Sequence, residues 1–233
     1  MSGLPRVVVL DLDDTLYSEH DYADSGFRAV DVWLRRERGL SGFLERARRL
    51  HAQGRRADVF DAALAELGVP TDRALVVRLV EIFREHHPDI RLLPDALALL
   101  DRLHGRWHLA LLTDGYLVAQ RRKIAALGLA AWCRPVVCTD AWGRAFWKPH
   151  ARGFEHIEQV LGLPPRACLY VADNPTKDFF APHARGWRTV RILRPTGLHA
   201  AVPSAPGDEP HHLIASLDEL TAPVLDEILS ARH

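Results

Sequence analysis

Short runs of β-branched and aliphatic residues recur along the chain, at 6–10, 108–112, 135–138, 167–172 and 187–193, with a shorter pair at 213–214. Helical patterns follow them at 116–127, 151–161, 177–185 and 217–229. Strands rich in Val and Leu with no polar alternation suit a parallel sheet covered on both faces. Their alternation with helices predicts a doubly wound α/β domain. The last helix is expected to open on Ser216 with Glu219 three residues later, a capping-box pair.

One stretch breaks the alternation. Between Tyr17 and about His87 the patterns FRAVDVWLRRE, FLERARRLH, VFDAALAEL and ALVVRLVEIFREH are all amphipathic and helical. The chain therefore divides into an α/β core of residues 1–16 and 91–233 and a small helical domain of residues 17–90, which returns through Pro94 and a helix at 95–103. Residues 194–210, with four prolines and two glycines, read as a surface loop with freedom to move.

Composition narrows the function. Thirty basic residues against thirty acidic ones, scattered rather than striped, provide no field for a polyanion, so nucleic acid is not expected as a partner. No stretch approaches the ~20 apolar residues of a membrane span, and the apolar run before the first Asp is too short for a signal peptide. Cys133, Cys138 and Cys168 are odd in number and lack metal or redox spacing, which predicts free thiols in a reducing cytoplasm. The pairs His86–His87 and His211–His212, and His150 with His156, lack partners at metal-ligand spacing and are expected at the surface or at helix ends. Arg28, Arg35, Arg48 and Arg55 are read mainly as a solvated helical face.

In an open parallel sheet, ligands bind beyond the carboxyl ends of the strands. The residues there are Asp11, Asp13, Asp14 and Thr15; Thr113, Asp114 and Gly115; Lys148 and Pro149; and Asp173, Asn174 and Asp178. Each group alone could be a turn or a cap, but four strand ends converge on one crevice. Several carboxylates gathered there repel each other unless a cation neutralises them. Mg²⁺ with oxygen ligands fits that need, and Lys148 with the Thr113 hydroxyl would serve a phosphoryl group.

The motifs DLDDTL at 11–16, LLTDG at 111–115, KPxxxxF at 148–154 and ADNPTKD at 172–178 resemble, in order, the four motifs of the haloacid dehalogenase superfamily. The helical insertion resembles the cap that such proteins carry between motifs one and two. The resemblance implies that Asp11 is a nucleophile forming an aspartyl-phosphate, and that Asp13 is first the acid for the leaving oxygen and then the base for water. It implies that the Asp11 carboxylate, the Asp13 main-chain carbonyl and Asp173 hold Mg²⁺, with Asn174 and Asp178 behind them and Asp178 acting through Lys148 or bound water. Thr113 and the backbone at Asp114 and Gly115 would grip the phosphoryl oxygens, while Lys148 neutralises charge.

Asp114 stands where the family often has Asn or Ser and adds a negative charge near the phosphate pocket, so either its side chain is expected to point away or the backbone is expected to do the work. Phe146 and Trp147 lengthen the third motif's approach and are expected in the core. Asp13 favours a phosphatase acting on a small phosphate ester over a dehalogenase, which attacks carbon and needs neither Mg²⁺ nor this acid. The absence of any lysine between residues 17 and 94 speaks against a phosphonate hydrolase. The alternatives are a phosphosugar mutase or a dehalogenase of the same superfamily, or a receiver-like phospho-signalling or non-catalytic binding module.

Overall fold

A computed structural model describes residues 6–70 and 72–231. The chain falls into two compact units, one running up to Glu19 and resuming at Arg91, the other spanning His20–Ile90.

The larger unit is built on six parallel strands: β1 (Val7–Leu10), β2 (His108–Thr113), β3 (Val136–Cys138), β4 (Cys168–Ala172), β5 (Arg188–Ile192) and β6 (His212–Ile214). Their order across the sheet is β3-β2-β1-β4-β5-β6, so β1 sits where the winding reverses. Leu10 pairs with Leu111 on one side and Val171 on the other. The end of β1 therefore lies level with the ends of β2 and β4, which delivers three polar turns to one crevice. β1, β4 and β5 are buried along their whole length, as strands covered on both faces must be. Trp187, Phe154, Phe179 and Tyr170 fill the layer beneath.

Among the described residues, five helices belong to this sheet: α5 (Pro94–Leu103), α6 (Leu117–Ala126), α7 (Arg152–Leu161), α8 (Phe180–Arg185) and α9 (Ala222–Ser230). The helix expected at 217–229 is two pieces. Ser216 and Glu219 do form a capping box, but around a 3-10 turn at Leu217–Glu219, and α9 starts afresh beyond Thr221 with Pro223 in its first turn. The helix expected from residue 177 begins only at Phe180, because Asn174 Oδ1 accepts from both the backbone and the hydroxyl of Thr176 and holds a turn there.

The smaller unit contains α1 (Glu19–Arg38) beyond its first residue, α2 (Phe43–Ala52), α3 (Val59–Glu66) and α4 (Arg73–Glu85). Along α1, Tyr22, Ala23, Gly26, Phe27, Val30 and Leu34 make one buried stripe at helical spacing. Phe27, Phe43, Phe60 and Phe83 meet edge-on, tilted or stacked in its core. The arginines singled out there are half exposed and paired: Arg28 and Arg48 with Asp24, Arg35 with Asp31 and Arg55 with Asp58. His86 caps the end of α4, one of the two placements expected of it, but it does not face solvent. It is buried, with its ring bonded to Phe83 O (2.6 Å) and Ser25 Oγ (3.1 Å), and helps lock α1 to the end of α4.

Among the described residues no helix is long and apolar enough to cross a membrane. The three cysteines are unpaired, and burial pushes the Cys133 and Cys168 thiols up to about 12, where they are unreactive.

Candidate active site

Asp11 continues from β1, its amide bonded to Val171 O (2.9 Å). One oxygen each from Asp11, Asp173 and Asp178 lie within 4.8 Å of one another, and all three residues are buried. Lys148 is buried too, and its Nζ bridges Asp11 Oδ1 (2.8 Å) and Asp178 Oδ1 (2.7 Å) while donating to Tyr170 Oη (2.7 Å). Asp178 thus stands in the carboxylate cluster itself as well as holding Lys148, where the sequence had placed it behind. Its other oxygen accepts from Asn174 N (3.0 Å).

Charge in this cluster is unbalanced. Burial, opposed by Lys148 and aided by Asp178, raises Asp11 to about 6. Burial followed by repulsion from Asp11, Asp178 and Asp14 drives Asp173 to about 9. Among the described residues no hydrogen-bond donor reaches the Asp173 side chain. Burial opposes the Lys148 ammonium, but Asp11 and Asp178 outweigh it and hold the proton firmly. A carboxylate pushed this far up, beside a second carboxylate and facing a cation already shared, is a donor set short of positive charge. A hard divalent cation such as Mg²⁺ fits it by number and type of oxygens.

Asp13 faces another way. Its Oδ1 accepts from Lys123 Nζ (2.7 Å) and from the Tyr17 hydroxyl, and its Oδ2 accepts from Gln120 Nε2 (2.9 Å). Burial would raise Asp13, but Lys123 together with these hydrogen bonds overcomes it and holds the carboxyl below its ordinary value. Asp14 is a turn-former. It takes a left-handed φ of 50°, which Asp tolerates, and its carboxylate ties Glu19 N and Leu198 N, both at 2.9 Å.

Thr113 Oγ1 accepts from Gln120 Nε2 (2.7 Å). The Gln120 side chain lies over Gly115, whose φ is +120° and where an added Cβ would meet it at 3.2 Å. The Asp114 carboxylate accepts from Thr139 Oγ1 (2.7 Å) and Lys148 N (3.1 Å) and pairs with Lys177 Nζ (3.1 Å). Burial is more than offset by Lys148 and Lys177, so Asp114 stays ionised.

The third-motif aromatics are a correction to expectation. Phe146 and Trp147 are half-buried, outside the core. Trp147 donates to Asp140 Oδ1 (3.0 Å), and Phe146 lies under the Arg152 guanidinium (4.5 Å). Phe146, with Trp142, His150 and His156, lines a cavity of about 370 Å³. The loop after β5 is likewise tied down. Arg191 donates to Asp173 O, His199 O and Val202 O, and Asn174 Nδ2 meets His199 Nε2 at 3.1 Å.

Residues 5–184 match the haloacid dehalogenase-like hydrolases. The chain belongs to that family. A phosphoserine phosphatase from Thermus thermophilus is 30% identical to this hydrolase over 87% of the chain and 94% of its own length. A glyceraldehyde 3-phosphate phosphatase from Methanocaldococcus jannaschii is 26% identical over 80% and 84%, and an (S)-2-haloacid dehalogenase from Xanthobacter autotrophicus 26% over 72% and 68%. The crystal structure of the hydrolase YfnB from Bacillus subtilis, bound to magnesium, superposes with a TM-score of 0.68 at 20% identity over 97% of this chain and 99% of that one.

Among the groups in this hydrolase's site that escaped the motif reading are Gln120, Lys123 and Lys177. A compositional signal pointed to two of them. The chain has 27 arginines and only three lysines, and Lys123, Lys148 and Lys177 all end on carboxylates at these strand ends.

Proposed function

We propose that this hydrolase is a phosphatase that cleaves a small phosphate ester in two steps through an aspartyl-phosphate on Asp11. The observation that carries the reading is the carboxylate of Asp13, held two residues past Asp11 by Lys123, Gln120 and Tyr17. Attack on carbon in a dehalogenase has no use for an acid at that place, whereas expulsion of an alkoxide does. The two phosphatase relatives support the same side. The helical residues 17–90 would be the cap of the family, and residues 1–16 with 91–233 the catalytic core.

Asp11 supplies the nucleophile, and Lys148 keeps it oriented through the 2.8 Å ion pair while offsetting charge on the phosphoryl group. Thr113 Oγ1 and the amides around Asp114 and Gly115 bind the phosphoryl oxygens. Asp13 delivers a proton to the leaving oxygen and takes one from the water that hydrolyses the acyl-phosphate. In the resting site Asp13 is a carboxylate, and the arriving phosphate dianion, a like charge, favours its protonation. Asp11, Asp173 and the Asp13 main-chain carbonyl would hold Mg²⁺, with Asp178 alongside. When bound, the ion withdraws charge from Asp11 and the phosphoryl oxygens, making the attack feasible. The unpaired thiols accord with a reducing, cytoplasmic setting.

Phosphate release from sugar phosphates, phosphoserine, nucleoside monophosphates and 4-nitrophenyl phosphate, with Mg²⁺ or EDTA, tests this. Asp11→Asn should lower turnover by about 10³-fold or more while the protein melts as a folded chain. Turnover that survives both EDTA and Asp11→Asn would refute it.

A further inference from the structure

Helix α6 begins just after the Thr113–Asp114–Gly115 turn, and Gln120 and Lys123 lie three apart on it, hence on one face. Both are buried, Gln120 at 1% exposure and Lys123 at 5%, whereas the intervening Arg121 is exposed. Lys123 Nζ holds Asp13 Oδ1 at 2.7 Å and lies 5.8 Å from the Tyr17 ring centroid. Gln120 Nε2 reaches three acceptors, Asp13 Oδ2 (2.9 Å), Thr113 Oγ1 (2.7 Å) and Asp114 O (2.5 Å). Its own Oε1 is buried and meets no hydrogen-bond donor among the described residues.

The unpaired amide oxygen is a cost that the bonds made by Nε2 must offset. What the amide does achieve is a link between the carboxyl proposed to carry the proton and the hydroxyl proposed to hold the phosphoryl group.

We propose that Gln120 and Lys123 are positioning residues that fix both oxygens of Asp13 and register the carboxyl against Thr113, so that proton donor and phosphoryl pocket are aligned as one body. This rests on the phosphatase reading above. As the ester P–O bond breaks, its electron pair goes to the leaving oxygen and the Asp13 proton joins it there. The carboxylate left behind is received by the Lys123 ammonium and the Gln120 amide without rearrangement.

Such a role makes a prediction that a structural one does not. Good leaving groups need little protonation, so a misplaced acid costs them little, while poor ones suffer fully. With Mg²⁺ present, kcat/KM would be compared for 2,4-dinitrophenyl, 4-nitrophenyl and phenyl phosphate on wild type, Lys123→Met, Lys123→Arg, Gln120→Leu and Asp13→Asn. Lys123→Met should lose about 100-fold on phenyl phosphate and under about 5-fold on the dinitrophenyl ester, approaching the slope of Asp13→Asn. Gln120→Leu should tilt the slope the same way by about 10-fold, and Lys123→Arg should lie nearer wild type.

Losses equal across the three esters, or no loss, would overturn the positioning role and leave the phosphatase reading standing. A wild type that hydrolyses none of the esters nor the wider panel would overturn both. Should Lys123→Met melt early, Lys123→Arg and Gln120→Leu carry the comparison, since partial unfolding lowers all three esters by the same factor and leaves the leaving-group slope intact.

Discussion

Asp114 brings a sixth carboxylate, after Asp11, Asp13, Asp14, Asp173 and Asp178, to strand ends where three lysines provide the ammonium groups. Its side chain is 3% exposed, and Lys177, 31% exposed, pairs with it at 3.1 Å. Removing the lysine alone would strand a buried charge, while removing both leaves an amide that Thr139 and the Lys148 backbone can still partly satisfy. Lys177→Met should therefore cost about 1–2 kcal/mol, discounted for the lysine's exposure, and Asp114→Asn with Lys177→Met should recover most of it in a denaturant-melt double-mutant cycle. Additive losses would mean that the two do not compensate. Residues at strand ends were legible in the sequence because topology alone sends them to one crevice. Lys177 and Gln120 were not, since each arrives from a turn or a helix side whose facing direction depends on where that segment starts. Asp114 was read as pointing away from the phosphate pocket or leaving the work to the backbone; its carboxylate is engaged by Thr139, the Lys148 amide and a lysine that periodicity could not place.

At the scale of elements, close approach is bought with glycine, and Gly26 on α1 shows how rigidly. An added Cβ there would lie 2.4 Å from the Phe83 ring of α4, a ring already wedged between Tyr22, Phe27 and Phe60. Ala is the better helix former by about 1 kcal/mol, yet overpacking of a fixed ring costs about 1–3 kcal/mol. Gly26→Ala should thus destabilise the helical unit on balance, read as earlier loss of its amide protection in hydrogen exchange; an unchanged protection pattern would show that α1 and α4 can slide. The helices of this unit were visible as 3.6-residue periodicity. Their tight crossing was not, because a lone glycine in a helical pattern does not name its opposite number. The same limit split the last helix, where a correct capping box at Ser216 closes only one turn before Thr221 and Pro223 restart the chain.

For the whole molecule, proton and cation compete for the same carboxylates. Asp173 lies at about 9 in the folded chain against an ordinary 3.8, and Asp11 at about 6. Between those values the folded state binds more protons than the unfolded state. Stability of the metal-free protein must then fall as pH rises, first through the Asp11 range and on through that of Asp173. If the ionised cluster holds Mg²⁺, as proposed, the ion would supply the missing charge and its binding would release those protons, so its stabilisation would grow in the same direction. At a hundredfold excess over Kd a ligand of the folded state contributes about 2.7 kcal/mol, or about 5–11 °C for a chain of this size. Thermal melts in EDTA should decline between about pH 5 and pH 9, and the gap opened by Mg²⁺ should widen over that range. Asp173→Asn should flatten both trends, because it removes the carboxyl whose proton is displaced. A Mg²⁺ effect that is independent of pH would place the ion away from Asp11 and Asp173, and with it the charge balance on which the proposed attack by Asp11 depends.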